Sequence, residues 1–69
     1  MKKYQIIDTV DGETFVEADD LKTLREEFIT AFWYDAQSSC DTDEEFQKWQ
    51  DETLEELIEG AEMKLKINL

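Results

Sequence analysis

Only two glycines, Gly12 and Gly60, and no proline punctuate this chain, so the backbone has few places to reverse or stop. Gly12 stands in the turn between two strand-like runs, and Gly60 where the hydrophobic period changes. Around Gly12, the runs Lys3-Tyr4-Gln5-Ile6-Ile7 and Thr14-Phe15-Val16-Glu17-Ala18 read as the two strands of a β-hairpin covering residues 3 to 18. Between there and Gly60 the apolar residues recur at helical spacing. Beyond Gly60, Met63, Leu65, Ile67 and Leu69 alternate with Glu62, Lys64, Lys66 and Asn68, the pattern of a half-buried final strand. The resulting order, ββααβ, predicts an α+β fold: a three-stranded sheet with two helices packed on one face, residues 1–69 forming a single domain.

Register follows from keeping apolar residues together. A two-residue turn at Asp11-Gly12 would pair Ile7 with Val16 but set Ile6 opposite Glu17. A three-residue loop ending on Gly12 pairs Ile6 with Val16 and Tyr4 with Ala18, and is the better choice. It leaves Ile7 and Phe15 together on the opposite face. The final strand is expected beside the first, in parallel.

The first helix is predicted over residues 20 to 37. Leu21, Leu24, Phe28, Ala31 and Phe32 form its stripe, with Asp19 or Asp20 as the cap and Ile29, Trp33 and Ala36 on one flank. Gln37 to Asp41 is a polar connection. The second helix is predicted over Thr42 to Gly60. Thr42-Asp43-Glu44-Glu45 reads as a capping box, Phe46, Trp49, Thr53, Leu54, Leu57 and Ile58 as the buried face, and Gly60 as the stop.

A domain this small is marginal, so most large apolar residues must enter its core. The predicted core is Tyr4, Ile6, Val16, Phe28, Phe32, Phe46, Trp49, Leu57 and Leu65, with Trp33 packing at a stripe edge. Tyr34, Ile7 and Phe15 are best placed to be exposed.

Several chemistries are disfavoured by what is missing. There is no histidine, which excludes Ser-His and Cys-His nucleophiles and His-containing zinc sites. The lone Cys40 cannot form an internal disulfide and fits a reducing cytoplasm. Ile6-Ile7 is too short an apolar run for an export signal or membrane span. Asp41, Asp43, Glu45 and Glu52 match positions of a calcium loop, but Phe46 occupies the place that needs glycine. A chain of this size can hardly enclose a dry pocket that tunes a carboxylate. The expectation is a non-enzyme without cofactor or metal.

What remains is charge. Nineteen Asp and Glu against seven Lys and Arg give a net charge of -12, which disfavours binding to nucleic acid or anionic membrane and favours basic partners. On a continuous helix turning about 100° per residue, Glu44, Glu45, Asp51, Glu52, Glu55, Glu56 and Glu59 fall within an arc of roughly 140°, interrupted only by Lys48. Like charges one turn apart each destabilise a helix by a few tenths of a kcal/mol, and a surface selected for stability alone would mix in lysine. Carboxylates one turn apart lie about 5–6 Å from each other, close to the phosphate spacing of a nucleic-acid strand. A protein that holds phosphates with Lys and Arg can engage such a row. The candidate partner-binding set is therefore Asp11 and Glu13 of the hairpin loop, Asp43, Glu44, Asp51, Glu52, Glu55, Glu56 and Glu59 of the second helix, and Tyr34 as an aromatic anchor. The blander reading is a solvated acidic face.

The Asp11-Gly12-Glu13 hairpin, the Asp19-Asp20 helix start and the acidic stretch from Thr42 through Gly60, taken with the ββααβ order and small size, resemble the phage-encoded DNA-mimic inhibitors. Anti-CRISPR proteins are the closest group, and phage inhibitors of uracil-DNA glycosylase a second. The resemblance covers the whole chain in architecture but matches no motif, and the lysines of the final strand depart from it. It implies a cytoplasmic inhibitor, in the host cell if phage-encoded, that occupies the DNA-reading site of a Cas effector, such as its PAM-binding surface. The competing class is an interaction module, an antitoxin or phage regulatory protein using Ile7, Phe15 or Tyr34. It would act as a monomer, or as a homodimer covering the Ile7/Phe15 face.

Overall fold

The computed structural model describes residues 2–68. The elements are β1 (Tyr4–Asp8), β2 (Thr14–Ala18), α1 (Leu21–Ala31), α2 (Trp33–Ser39), α3 (Asp43–Gln50), α4 (Leu54–Gly60) and β3 (Met63–Ile67). The three strands form one sheet in the order β2-β1-β3, giving the α+β architecture expected. Each of the two expected helical stretches is divided in two. Leu69, which the alternation assigns to the final strand, lies outside the described residues.

The hairpin has the register that apolar pairing requires, Tyr4 opposite Ala18 and Ile6 opposite Val16. Its turn differs in detail. A bulge after Ile6 makes Ile7 face Thr14, so the loop runs over Thr9 to Gly12 instead of three residues. Asp8 closes it, donating its N–H to Glu13 O and accepting from Gly12 N, while Gly12 takes a φ of 75° that suits glycine. The bulge also re-aims Phe15. It was expected beside Ile7; instead its ring meets Phe28 at 5.8 Å and Phe32 at 6.1 Å on the helix side of the sheet.

β3 pairs beside β1 as expected, but antiparallel, with Ile6 opposite Leu65. The helical pairs explain the direction. They carry the chain from the end of β2 back along the sheet, with α1 over β2 and β1 and α4 against β3, so β3 runs down alongside β1.

The core forms where these layers meet. Ile6, Leu24, Phe28 and Leu57 are fully buried, with Ala18, Ala36 and Ile58 close behind. Tyr4, Val16, Phe32, Phe46, Trp49 and Leu65, expected to be buried, are half-buried because a domain this thin covers each with one layer only. An aromatic seam joins the parts: Phe28 stacks on Phe32 at 5.4 Å, Phe32 meets Trp49 at 6.3 Å, Trp49 stacks on Phe46 at 5.9 Å, and Phe46 meets Trp33 edge-on at 4.8 Å. Such pairs each add about 0.5–1.5 kcal/mol beyond the area they bury. Among the described residues no helix is long and apolar enough to cross a membrane.

Candidate functional site

The acidic stretch after Cys40 is built from two short helices. Thr42 caps α3 by accepting the N–H of Glu45 at 3.2 Å. Glu45 does not complete the reciprocal box expected there; its carboxylate accepts from Asp41 N–H at 3.1 Å and tightens the entering loop instead. α3 begins at Asp43, within the stretch whose spacing resembles a calcium loop. Asp43 and Glu44 are exposed in its first turn, where the helix dipole favours acid.

α3 stops at Gln50, and Arg25 of α1 meets its end. Its guanidinium donates to Gln50 O at 2.6 Å and to Glu52 O at 2.8 and 3.1 Å. Helix ends leave carbonyls without partners, and a cation there also meets the negative end of the dipole. The chain then restarts. Thr53, expected on the buried face, is exposed and caps α4 in a full capping box: Thr53 Oγ1 accepts from Glu56 N–H, and Glu56 Oε1 accepts from Thr53 N–H at 3.0 Å.

The interruption at residues 51–53 overturns the single acidic arc, because α3 and α4 are separate helices. Asp51 is exposed at the end of α3. Glu52 is half-buried and, with Glu56, lines a hollow that includes Trp49 and Cys40. Glu55 and Glu59, exposed and one turn apart on α4, line a different groove with Leu21, Leu54, Ile58, Met63 and Leu65. In the hairpin loop, Asp11 and Glu13 are exposed, and Asp11 Oδ1 accepts the Glu13 N–H at 2.9 Å. Tyr34 projects from α2 and is 80% exposed. Ile7, by contrast, is half-buried on the uncovered sheet face near Lys64 and Lys66.

The acids carry little internal compensation. Among the described residues the only ion pair joins Lys2 to Asp19 at 3.4 Å. Two carboxyls are held below the ordinary carboxylate range by capping: Asp20 by the backbone N–H and then the hydroxyl of Thr23, and Glu56 by the same two groups of Thr53. Both are structural roles. Among the described residues no three His, Cys, Asp or Glu side chains converge to hold a metal ion.

Sequence reasoning missed the groove beside Glu55 and Glu59, since Leu21, Leu54 and Ile58 all belong to apolar stripes. The available signal was Leu21's place directly after the cap Asp20: a first-turn residue at a helix end is covered from fewer sides, and it remains 46% exposed. No family model, curated protein or solved structure matches this chain.

Proposed function

We propose that this chain is a non-catalytic inhibitor, acting in the cytoplasm, that binds a basic nucleic-acid-handling protein on the surface that protein uses for DNA or RNA. A CRISPR effector is the target class suggested by the resemblance to phage-encoded anti-CRISPR proteins. The observation that carries the reading is the lack of internal compensation: nineteen acidic residues are present, yet one ion pair forms among the described residues. Carboxylates left without cations of their own are available to a partner's Lys and Arg, and they repel nucleic acid itself. Asp11, Glu13, Asp43, Glu44, Asp51, Glu55 and Glu59 are all exposed, so they need no rearrangement to be reached.

The division into α3 and α4 changes the form of the mimicry. Two short acidic clusters, with the hairpin loop as a third, replace one continuous row. A competition experiment tests the reading: a partner captured from host lysate is loaded with its own DNA or RNA and titrated with this protein. Displacement of the nucleic acid is expected. Simultaneous binding of both without interference, or partners that are not basic, would contradict it.

One observation favours a second reading. Tyr34 is a large aromatic at 80% exposure, the kind of side chain that anchors an interface of an antitoxin or regulatory protein. That reading predicts affinity nearly independent of salt and abolished by Tyr34→Ala.

A further inference from the structure

The groove bordered by Glu55 and Glu59 has a different chemistry from the rest of the acidic surface. It measures about 430 Å³, and apart from those two carboxylates its lining is Leu21, Leu54, Ile58, Met63 and Leu65. An aliphatic floor with acids as its only charged border suits a ligand that combines apolar side chains with positive charge. The spacing narrows the choice. Glu55 and Glu59 are one helical turn apart on α4, about 5–6 Å, which matches Lys or Arg one turn apart beside the apolar stripe of a partner helix. Leu21, at 46% exposure, gives such a stripe an apolar surface to cover.

We infer that this groove docks a basic amphipathic helix of the partner, leucine-like side chains entering between Leu21, Leu54 and Met63 while flanking Lys or Arg meet Glu55 and Glu59. The inference rests on the basic-partner reading above but adds something phosphate mimicry does not require, an apolar anchor. It also divides the candidate residues. Glu55 and Glu59 belong to helix docking, whereas Asp43, Glu44 and the hairpin acids do not.

The test uses the intact chain and a fluorescein-labelled synthetic helix with leucines at i, i+3 and i+7 flanked by lysines. A control helix carries serine in place of each leucine. Anisotropy should show the control binding at least tenfold more weakly, and E55K/E59K weakening the leucine helix by a similar factor. Amide shifts on binding should concentrate on residues 21, 54–59 and 63–65. Leu21→Ser should weaken binding severalfold; if it fails to fold, the exposed Glu55 and Glu59 variants still decide the matter. Equal binding of both helices, amide shifts confined to the hairpin loop or the first turn of α3, or no binding would each overturn the inference. Those results leave the competition of nucleic acid with the captured partner unaffected. Conversely, a helix that docks here while the captured partner binds nucleic acid unhindered would sink mimicry and leave the groove standing.

Discussion

Between α1 and α2 the chain is interrupted at a single residue, Phe32, whereas between α3 and α4 it uses Asp51, Glu52 and Thr53. The first interruption stays inside the core. Phe32 is stacked on Phe28, its N–H still bonds Phe28 O at 2.9 Å, and its carbonyl still accepts from Ala36. The second is a true stop and restart, with Arg25 taking the freed carbonyls and Thr53 opening a new capping box. In a continuous helix Asp51 would stack under Glu55 and Glu52 under Glu56. The break takes Asp51 and Glu52 out of the helix that carries Glu55, Glu56 and Glu59. The first pair is a packing element; the second displays acid.

Arg25 is the side chain that most distinguishes the second interruption from the first. Replacing Arg25 with Ala should cost about 2–3 kcal/mol, since charge-assisted bonds to half-buried carbonyls are lost together. Arg25→Lys should recover only part, lacking the planar fork. Urea denaturation would measure both; an unchanged midpoint for Arg25→Ala would mean the stop does not depend on this side chain.

Next are the two caps. Thr53→Ala should cost about 1–2 kcal/mol and Thr42→Ala about 1 kcal/mol, because only Thr53 has a reciprocal partner. Equal losses would mean the box at Thr53 adds nothing to a single capping bond.

The far end of α4 offers a gain. Gly60, expected to stop the helix, is its last residue, and the left-handed position falls on Glu62 with φ 58°. Glu62→Gly should therefore stabilise the fold by about 1 kcal/mol. A lower melting temperature would count against this assignment.

The smallest effect is with pH. Asp20 and Glu56 have folded-state pKa values below their ordinary ones, so their capping contribution is present above the unfolded pKa and is lost as pH falls through the depressed folded values. Asp20→Asn keeps the cap but not the charge. The stability difference between wild type and this variant should be present at pH 7 and shrink under acid conditions. A difference that does not vary with pH would remove the charge from the capping argument.

How much of this was legible depended on distance along the chain. Ile6 with Val16 and Tyr4 with Ala18 could be read because a hairpin register is decided by neighbours and by the turn at Gly12. The predicted core around Phe28 and Leu57 followed from helical spacing. The break after Gln50 was hidden because Phe46, Trp49, Thr53, Leu54, Leu57 and Ile58 keep helical period straight through it. Its local mark was the second Thr-x-x-Glu, Thr53 to Glu56. The side chain that meets it, Arg25, lies 25 residues earlier than Gln50, a pairing visible only in the tertiary contact. The acids of the candidate surface were legible individually, but their grouping depended on a helix that the fold interrupts.

We propose that the exposed acids of α3 and α4 address a basic partner through long-range charge. The most direct test is the association rate of wild type and of D51K/E55K with that partner, measured by stopped flow across a range of ionic strength. Both positions are exposed, so the variant should keep the fold. The wild-type rate should fall steeply as salt rises, and the variant should associate far more slowly at low salt but converge with wild type at high salt. A wild-type rate indifferent to salt, or a double variant that associates as fast as wild type at low salt, would contradict the account.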